Sequence, residues 1–104
     1  MIRSTVAGFD WNEGNRAKCQ KHGVSLAEIE AVFAGEHRIA PDPMHSAEEV
    51  RLLAIGKGSG PREVFVAFTL REGEAGLLIR PISARYMHRK EIEAYENAIT
   101  QTDQ

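Results

Sequence analysis

Three runs of strand-forming residues in the second half of the chain constrain its fold most strongly. They cover residues 49–57, 63–70 and 76–83, and the connections between them, GSGP and REGEAG, are rich in turn residues. Short connections of this kind join antiparallel neighbours. The middle run contains VFVAFTL, which is apolar at nearly every position, as is typical of a central strand covered on both faces. The three runs therefore predict an antiparallel meander with the middle run at its centre.

Two helical patterns precede this meander. Asn12 is a favourable N-cap for a helix over residues 12–22, which contain no proline. Ser25 is followed three residues later by Glu28, and this spacing is the capping-box pattern at the start of a helix. The second helix has an apolar stripe at helical spacing and ends at Gly35. The sequence thus predicts two consecutive helices before the sheet.

Two further strands and a third helix complete the pattern. Residues 2–9 alternate loosely in polarity and predict a first strand, and residues 38–40, close to two prolines, predict a short edge strand. The third helix is capped by Met87 or His88 and runs through Ala98. This order of elements predicts the α+β class, in which a small antiparallel β-sheet is flanked by helices, within one domain of 104 residues.

Composition limits the class of protein. Hydrophobic residues make up 42% of the chain and charged residues 27%, which is ordinary for a globular domain. No segment approaches the roughly 20 apolar residues that cross a bilayer, and the N-terminus lacks the apolar run of a signal peptide. The single cysteine, Cys19, has no partner for an internal disulfide. These features predict a cytoplasmic protein without a membrane partner.

Basic residues concentrate in two zones, although the formal net charge is −2. One zone ends the first predicted helix and includes Lys21 and His22. The other begins within the last predicted strand and continues beyond it, and it has no carboxylate between its first and last members; its candidates are Arg80, Arg85, His88, Arg89 and Lys90. Local positive charge on a mildly acidic chain predicts an anion site, with phosphate as the commonest ligand. The alternative interpretation is a solvated surface at a helix start.

Several other chemistries lack support in the sequence. The four histidines are too far apart for a preformed metal site, and the chain has neither HExxH nor CxxC. It has no GxSxG motif for a nucleophilic serine. Its closely spaced glycines, 56, 58 and 60, fall between two strands, whereas a phosphate loop joins a strand to a helix. We therefore predict no metal and no cofactor.

The remaining possibility is acid–base and electrostatic chemistry on a phosphate. RNA can be cleaved without a metal if a base activates the ribose 2′-hydroxyl, cations stabilise the phosphorane and an acid protonates the leaving oxygen. Guanidinium groups suit the second task because their planar forks match phosphate oxygens. The catalytic candidates are Arg80, Arg85, His88, Arg89, Lys90 and Tyr95. The RNA-binding candidates are Lys21, His22 and Tyr86, the last as a platform that stacks a base.

Structural roles compete with several of these assignments. His88 can serve as a helix cap. Lys21 and His22 stand at the end of the first helix, where cations interact favourably with the helix dipole. Tyr95 falls on the apolar stripe of the third helix and can pack in the core. The residues alone leave these alternatives open.

Four segments of the chain resemble the BrnT family of bacterial type II toxins. They are FDWN at 9–12, KHGVS at 21–25, VFAG at 32–35 and RPISARYMHRKEIEAYE at 80–96. The resemblance implies a RelE-like ribonuclease fold. It also implies an endonucleolytic activity that cuts RNA and arrests translation and growth.

The same resemblance implies residue roles and a partner. The family's basic residues after the last strand match Arg80, Arg85, Arg89 and Lys90, and its terminal tyrosine matches Tyr95. A BrnA-like antitoxin with a ribbon-helix-helix part would neutralise the toxin and carry it to operator DNA. The low net charge also permits a second function, that of a catalytically inactive toxin-like module which acts as an antitoxin-binding corepressor. Autonomous DNA binding is disfavoured, since no basic recognition helix is visible.

Overall fold

The computed structural model of the chain describes residues 6–41 and 51–102, apart from the side chains of residues 95 and 98–102. The elements in chain order are β1 (Val6–Phe9), α1 (Glu13–Gln20), α2 (Leu26–Ala34), β2 (His37–Pro41), β3 (Leu52–Lys57), β4 (Glu63–Gly73), β5 (Gly76–Tyr86) and α3 (Arg89–Thr102). The strands form one sheet in the order β1-β5-β4-β3-β2. No helix in the described part of the chain is both long and apolar enough to span a membrane.

The meander and the α+β class are confirmed. Strands β3, β4 and β5 pair antiparallel, and β4 lies at the centre of the five-stranded sheet. On the core face of β4, Val64, Val66 and Phe68 are fully buried. The prediction that β4 is covered on both faces was wrong, because Phe65 and Ala67 on the opposite face are only half-buried and line a cavity. Strand β2 pairs with β3 at one edge, as predicted for residues 38–40. The predicted strand residues 2–5 and 49–50 lie outside the described residues.

The prediction of a purely antiparallel sheet was wrong, because β1 lies parallel to β5. Val6 pairs with Leu77 and Phe9 with Ile79. A parallel pair needs a long crossover, and the helices and the meander between the two strands supply it. The alternation of polarity in one short strand carries no information about its direction, so the sequence pattern could not reveal this pairing.

Strand β5 extends to Tyr86, although the sequence predicted that it ends at Ser83. Its last residues remain paired with β4, with Arg85 opposite Phe65. The pairing of β4 with β5 shifts by one residue after Ala67. Ala67 pairs with Ser83, but Phe68 pairs with Pro81, so Ile82 is the extra residue of a β-bulge. Arg85 is therefore a strand residue with a fixed direction and not part of a strand-to-helix turn.

Helices α1 and α2 form against one side of the sheet. Asn12 caps α1 as predicted and forms a reciprocal capping box with Asn15. Ser25 caps α2 and accepts a hydrogen bond from the backbone N–H of Glu28, and Gly35 ends the helix. The core that these elements share contains Cys19, Val24, Ile29, Val32, Phe33, Ala54, Val64, Val66, Phe68, Ile79 and Ala84. Burial raises the pKa of the Cys19 thiol to about 11, so it is a packing residue without thiolate character at neutral pH.

Helix α1 lies beside β5 at the point where β1 ends. The backbone N–H of Asp10 donates to the Ile79 carbonyl over 2.8 Å. The side-chain amide of Asn15 donates to the Pro81 carbonyl over 3.0 Å. Helix α1 thus lies along the edge of β5 beyond the end of β1. One side of this helix borders the sheet face opposite the core.

Helix α3 begins at Arg89, and His88 precedes it as the predicted cap. The His88 carbonyl accepts the first helical hydrogen bond from the Ile92 N–H over 3.0 Å. The Glu91 carboxylate accepts from the His88 N–H over 2.8 Å, which satisfies one of the donors exposed at a helix start. Ile92 is half-buried. The predicted packing of Tyr95 and Ile99 lies outside the described side chains.

We expect Gly58→Ala to destabilise the protein by about 1–3 kcal/mol, the usual range for overpacking. A Cβ atom at Gly58 would clash with the side chain of Glu28 and would lie 2.7 Å from its backbone oxygen. At Gly60, two residues along the same hairpin, a Cβ atom would lie 3.7 Å from the Glu28 carboxylate, which is an ordinary contact. Gly60→Ala is the matched control and should change stability by less than about 0.5 kcal/mol. Urea unfolding measures both, and equal midpoints would contradict the close approach of this hairpin to α2.

Candidate functional site

Two cavities adjoin where α1 borders the sheet face opposite the core. The larger has a volume of about 490 Å³, and strand residues such as Leu53, Phe65 and Ala67 form its apolar floor. The smaller has a volume of about 300 Å³ and lies at the start of α1. Because Lys18, Arg51 and Ile82 line both, the cavities form one continuous depression.

Basic side chains dominate this depression, which we call the basic groove. Its basic members are Lys18, His22, Arg51, Arg71, Arg80 and Arg85. Within the described part of the chain, no carboxylate lines either cavity. The protein as a whole carries a net charge of −2, so this separation of charge comes from the fold and not from an excess of basic residues. A groove of this kind attracts anions.

Arg85 lies between the groove and α3 and is held by three contacts. Its guanidinium group donates two hydrogen bonds of 2.8 Å to the two carboxylate oxygens of Glu91. It also lies over the ring of Phe65, with its Cζ atom 4.6 Å from the ring centroid. A third donation, over 3.3 Å, reaches the Tyr86 carbonyl. These contacts fix the guanidinium plane of a side chain that is still 40% exposed.

Glu91 is the counter-ion of this arrangement. Hydrogen bonds from Arg85, and then from the His88 N–H, lower the pKa of Glu91 to about 2. The same bond from Glu91 raises the pKa of Arg85. The sequence analysis did not select Glu91 as a site residue. Its position three residues after the helix cap is a capping signal, but the sequence contains no comparable signal for the pair with Arg85.

Arg80 lines the smaller cavity, as part of a different pair. Its Nη1 atom donates to the Asp10 carboxylate over 3.3 Å. Arg85 lines the larger cavity, so the two arginines lie in different cavities of the groove. The predicted cationic cluster is therefore divided between two places.

The second basic zone contributes His22 but not Lys21. Lys18 on α1 and His22, two residues after this helix ends at Gln20, both line the larger cavity, although the sequence predicted that the helix extends through His22. Lys21 is exposed at the C-terminal cap of α1 and is not a lining residue. Helical spacing from His22 could have identified Lys18 in the sequence. Arg51 and Arg71 give no such signal, because only the register of the strands brings them to the groove.

Tyr86 lies on the helix side of the sheet, away from the groove. Its hydroxyl donates to the Glu28 carboxylate over 2.6 Å, and this hydrogen bond raises the pKa of Tyr86. The guanidinium group of Arg62 covers its ring at 4.0 Å. In this arrangement the ring joins the β3–β4 hairpin to α2 and is not presented as an open platform.

The remaining predicted residues lie at the start of α3. His88, Arg89 and Lys90 are exposed and are not among the residues that line the groove. The backbone of Tyr95 belongs to α3, and its side chain lies outside the described residues. The structure thus brings Arg80, Arg85 and His22 to one groove and leaves His88, Arg89 and Lys90 beside it.

No group of three histidine, cysteine or acidic side chains converges as a metal site among the residues that the structure describes. The donor set of the groove is nitrogen-rich and cationic, whereas hard divalent metals take oxygen ligands from carboxylates and carbonyls. The groove is therefore suited to an anion.

A family model described as "Ribonuclease toxin, BrnT, of type II toxin-antitoxin system" matches residues 11–91 of the chain. The chain belongs to the BrnT family. The match contains every basic residue of the groove and ends at Glu91. It leaves out β1 and most of α3, including Tyr95. A comparison with curated proteins finds no match. Membership of a type II toxin–antitoxin family implies a protein antitoxin as partner.

Arg85→Gln should raise the pKa of Glu91 from about 2 towards its ordinary value of 4.5, because it removes the largest cause of the shift. The folded-state pKa lies below the ordinary value, so this interaction stabilises the protein fully above about pH 4.5. The stabilisation disappears as the pH falls towards about 2.

Carboxyl NMR titration of Glu91 measures this change. Arg89→Gln removes the same charge four residues along without touching Glu91, and it is the matched control. An equal response of Glu91 to both substitutions would show that general charge, not the bidentate contact, sets its pKa.

Proposed function

We propose that the chain is an endoribonuclease toxin that cleaves RNA without a metal ion, in the larger cavity of the basic groove. The observation that supports this activity is the groove itself. It combines basic side chains from α1, β4 and β5 and from the positions just after α1 and just before β3, with no lining carboxylate among the described residues. The mixed sheet with α1 and α2 against one side supports the RelE-like assignment that the resemblance implies. Cleavage of cytoplasmic RNA would arrest translation and growth.

Each step of RNA transphosphorylation has a candidate residue in the larger cavity. A base removes the 2′-hydroxyl proton, the 2′-oxygen attacks phosphorus, and the 5′-oxygen leaves with a proton, which yields a 2′,3′-cyclic phosphate and a 5′-hydroxyl end. Arg85 and Lys18 carry the positive charge that stabilises the phosphorane. No metal is needed for this stabilisation, because two fixed cations supply it.

In this proposal His22 removes the 2′-hydroxyl proton and returns it to the leaving 5′-oxygen, so one imidazole serves both proton transfers. His22 supplies the imidazole among the described residues that line the larger cavity, and histidine is the side chain that most often transfers protons in catalysis. His88 was the catalytic candidate from the sequence, but its position at the start of α3 suits a helix cap. Arg89 and Lys90 beside it are proposed to contact RNA that extends beyond the groove. Tyr95 stays a prediction from the resemblance.

His22→Ala should lower the cleavage rate about 10²- to 10⁴-fold, the usual contribution of a general acid or base. Cleavage of a fluorescent RNA in excess EDTA measures this rate. His88→Ala is the matched control and should retain most of the activity. A larger loss in His88→Ala than in His22→Ala would reverse the assignment.

Arg85→Ala combined with Arg89→Ala should abolish both RNA cleavage and growth arrest. Removal of one preorganised donor to a developing negative charge costs about 10²- to 10³-fold in rate. Arg16→Ala combined with Arg38→Ala removes the same charge from exposed positions outside the groove and should retain growth arrest. Growth after induction of each variant, with soluble protein checked by immunoblot, measures the effect. Toxicity that persists in the Arg85 and Arg89 variant would contradict the site.

The antitoxin is proposed to be BrnA-like and to neutralise the toxin by covering the basic groove. A surface without lining carboxylates would bind an acidic segment of the antitoxin by charge complementarity. Operator DNA would then be bound only through the antitoxin.

One observation favours the second function, that of an inactive module which acts as an antitoxin-binding corepressor. Glu91 already occupies the guanidinium fork of Arg85, so this cation is neutralised before any phosphate arrives. Induction of the chain without its partner separates the two functions. Growth arrest supports the ribonuclease, and normal growth with soluble protein supports the corepressor.

A further inference from the structure

The smaller cavity of the basic groove is a site in its own right. It has a volume of about 300 Å³ and is lined by Lys18, Arg51, Arg71 and Arg80 together with polar residues at the start of α1. Neither His22 nor Arg85 lines it. Four cations without a proton-transfer group at neutral pH are suited to binding an anion, not to reacting with it.

Strand register explains why these arginines converge. Thr69 at the centre of β4 pairs with Arg80 on β5, so both side chains lie on the same sheet face. Arg71 is two positions further along β4 and therefore also lies on that face. On the side of β4 away from β5, Leu52 of β3 pairs with Phe68. Arg51 comes one residue before Leu52, and the same antiparallel register places it opposite Thr69. Arg71 on β4, Arg80 on β5 and Arg51, directly before β3, thus lie around Thr69.

Thr69 lies between these arginines in the sheet, is not among the residues that line the cavity, and has a buried hydroxyl group. The residue is 1% exposed, and its Oγ1 atom makes no hydrogen bond with any residue that the structure describes. Buried hydroxyl groups are ordinarily hydrogen-bonded. A valine would fill the same volume on a strand without this cost, so packing alone does not account for a threonine here.

The Asp10 carboxylate lies close to the cavity. It accepts from Nη1 of Arg80 over 3.3 Å but is not among the lining residues. A guanidinium group has five donors, and this contact uses one nitrogen. Asp10 therefore orients Arg80 and leaves donors that can face the cavity. The N-terminal end of α1, where Asn12 and Gly14 line the cavity, adds positive dipole charge on the other side.

We propose that the smaller cavity binds a phosphate of the RNA chain other than the one that is cleaved. This inference rests on the proposed ribonuclease function and extends it, because it makes the substrate an oligonucleotide with at least two phosphates. Arg80 and Arg85 are five residues apart on β5, so their Cα atoms are at most about 16 Å apart at the strand rise of about 3.3 Å per residue. The two cavities share Lys18 and Arg51, so one continuous backbone can pass from one to the other.

The test measures binding of a 2′-O-methyl RNA 12-mer, which the proposed reaction cannot cleave, at a series of salt concentrations. Arg71→Gln should weaken binding and reduce the slope of log K against log salt by about 0.7 to 1, the value for one phosphate contact. It should also reduce the preference for the 12-mer over a dinucleotide, which has a single phosphate. Arg16→Gln removes an equal charge from the far side of α1 and should retain the wild-type slope.

Arg71 lies at the exposed end of β4, so its substitution leaves the core intact, and the unfolding midpoint checks this. Arg80→Gln provides a second variant with the same expected slope. Equal slopes for wild type, Arg71→Gln and Arg80→Gln would overturn the proposal.

The result is separable from the proposed catalysis. If the wild-type protein cleaves RNA but its salt slope does not depend on Arg71, only the second phosphate site fails. If the slope depends on Arg71 but no RNA is cleaved, the site stands as an RNA-binding site and the ribonuclease function fails.

Discussion

The pairing of β5 with β4 determines where every part of the site lies. Strand β5 continues along β4 to Tyr86, and this extension places Arg85 opposite Phe65 on the face away from the core. The bulge at Ile82 separates this part of the strand from Arg80, which pairs with Thr69. On its other side β5 pairs first with β1 and then contacts α1, so Lys18 on this helix and His22 just after it border the same face. A single strand therefore joins both basic zones of the sequence in one groove.

The Arg85 and Glu91 pair gives this groove its second property. A guanidinium fork that holds two carboxylate oxygens at 2.8 Å has the geometry that also suits two phosphate oxygens. The pair is partly exposed, so its contribution to stability is screened by solvent and salt. Its main consequence is positional, because it aligns Arg85 over Phe65 and joins the start of α3 to the end of β5. In the proposed ribonuclease, phosphate and Glu91 would compete for the same donors, and this competition would link RNA binding to the position of α3.

Much of the fold could be predicted because it depends on local signals. The caps at Asn12 and Ser25, the stop at Gly35 and the turn-rich connections of the meander all act within a few residues. The candidate site was predicted less completely. Arg80, Arg85 and His22 belong to the groove, whereas Lys21 and Tyr86 point elsewhere and His88, Arg89 and Lys90 lie beside it. Arg51, Arg71, Asp10 and Glu91 were missed, since each meets its neighbour only across strands or between a strand and a helix.

The sequence by itself determined the elements, the α+β class, the central place of β4 and the resemblance to BrnT toxins. These depend on hydrophobic periodicity, capping and turn residues, which report on short stretches of chain. The tertiary structure alone decided that β1 runs parallel to β5 and that an acidic protein presents a groove lined by basic residues. It also decided which arginine meets which carboxylate. These outcomes depend on strand direction, register and a bulge, and a register change of one residue would turn Arg80 and Thr69 to the other face of the sheet.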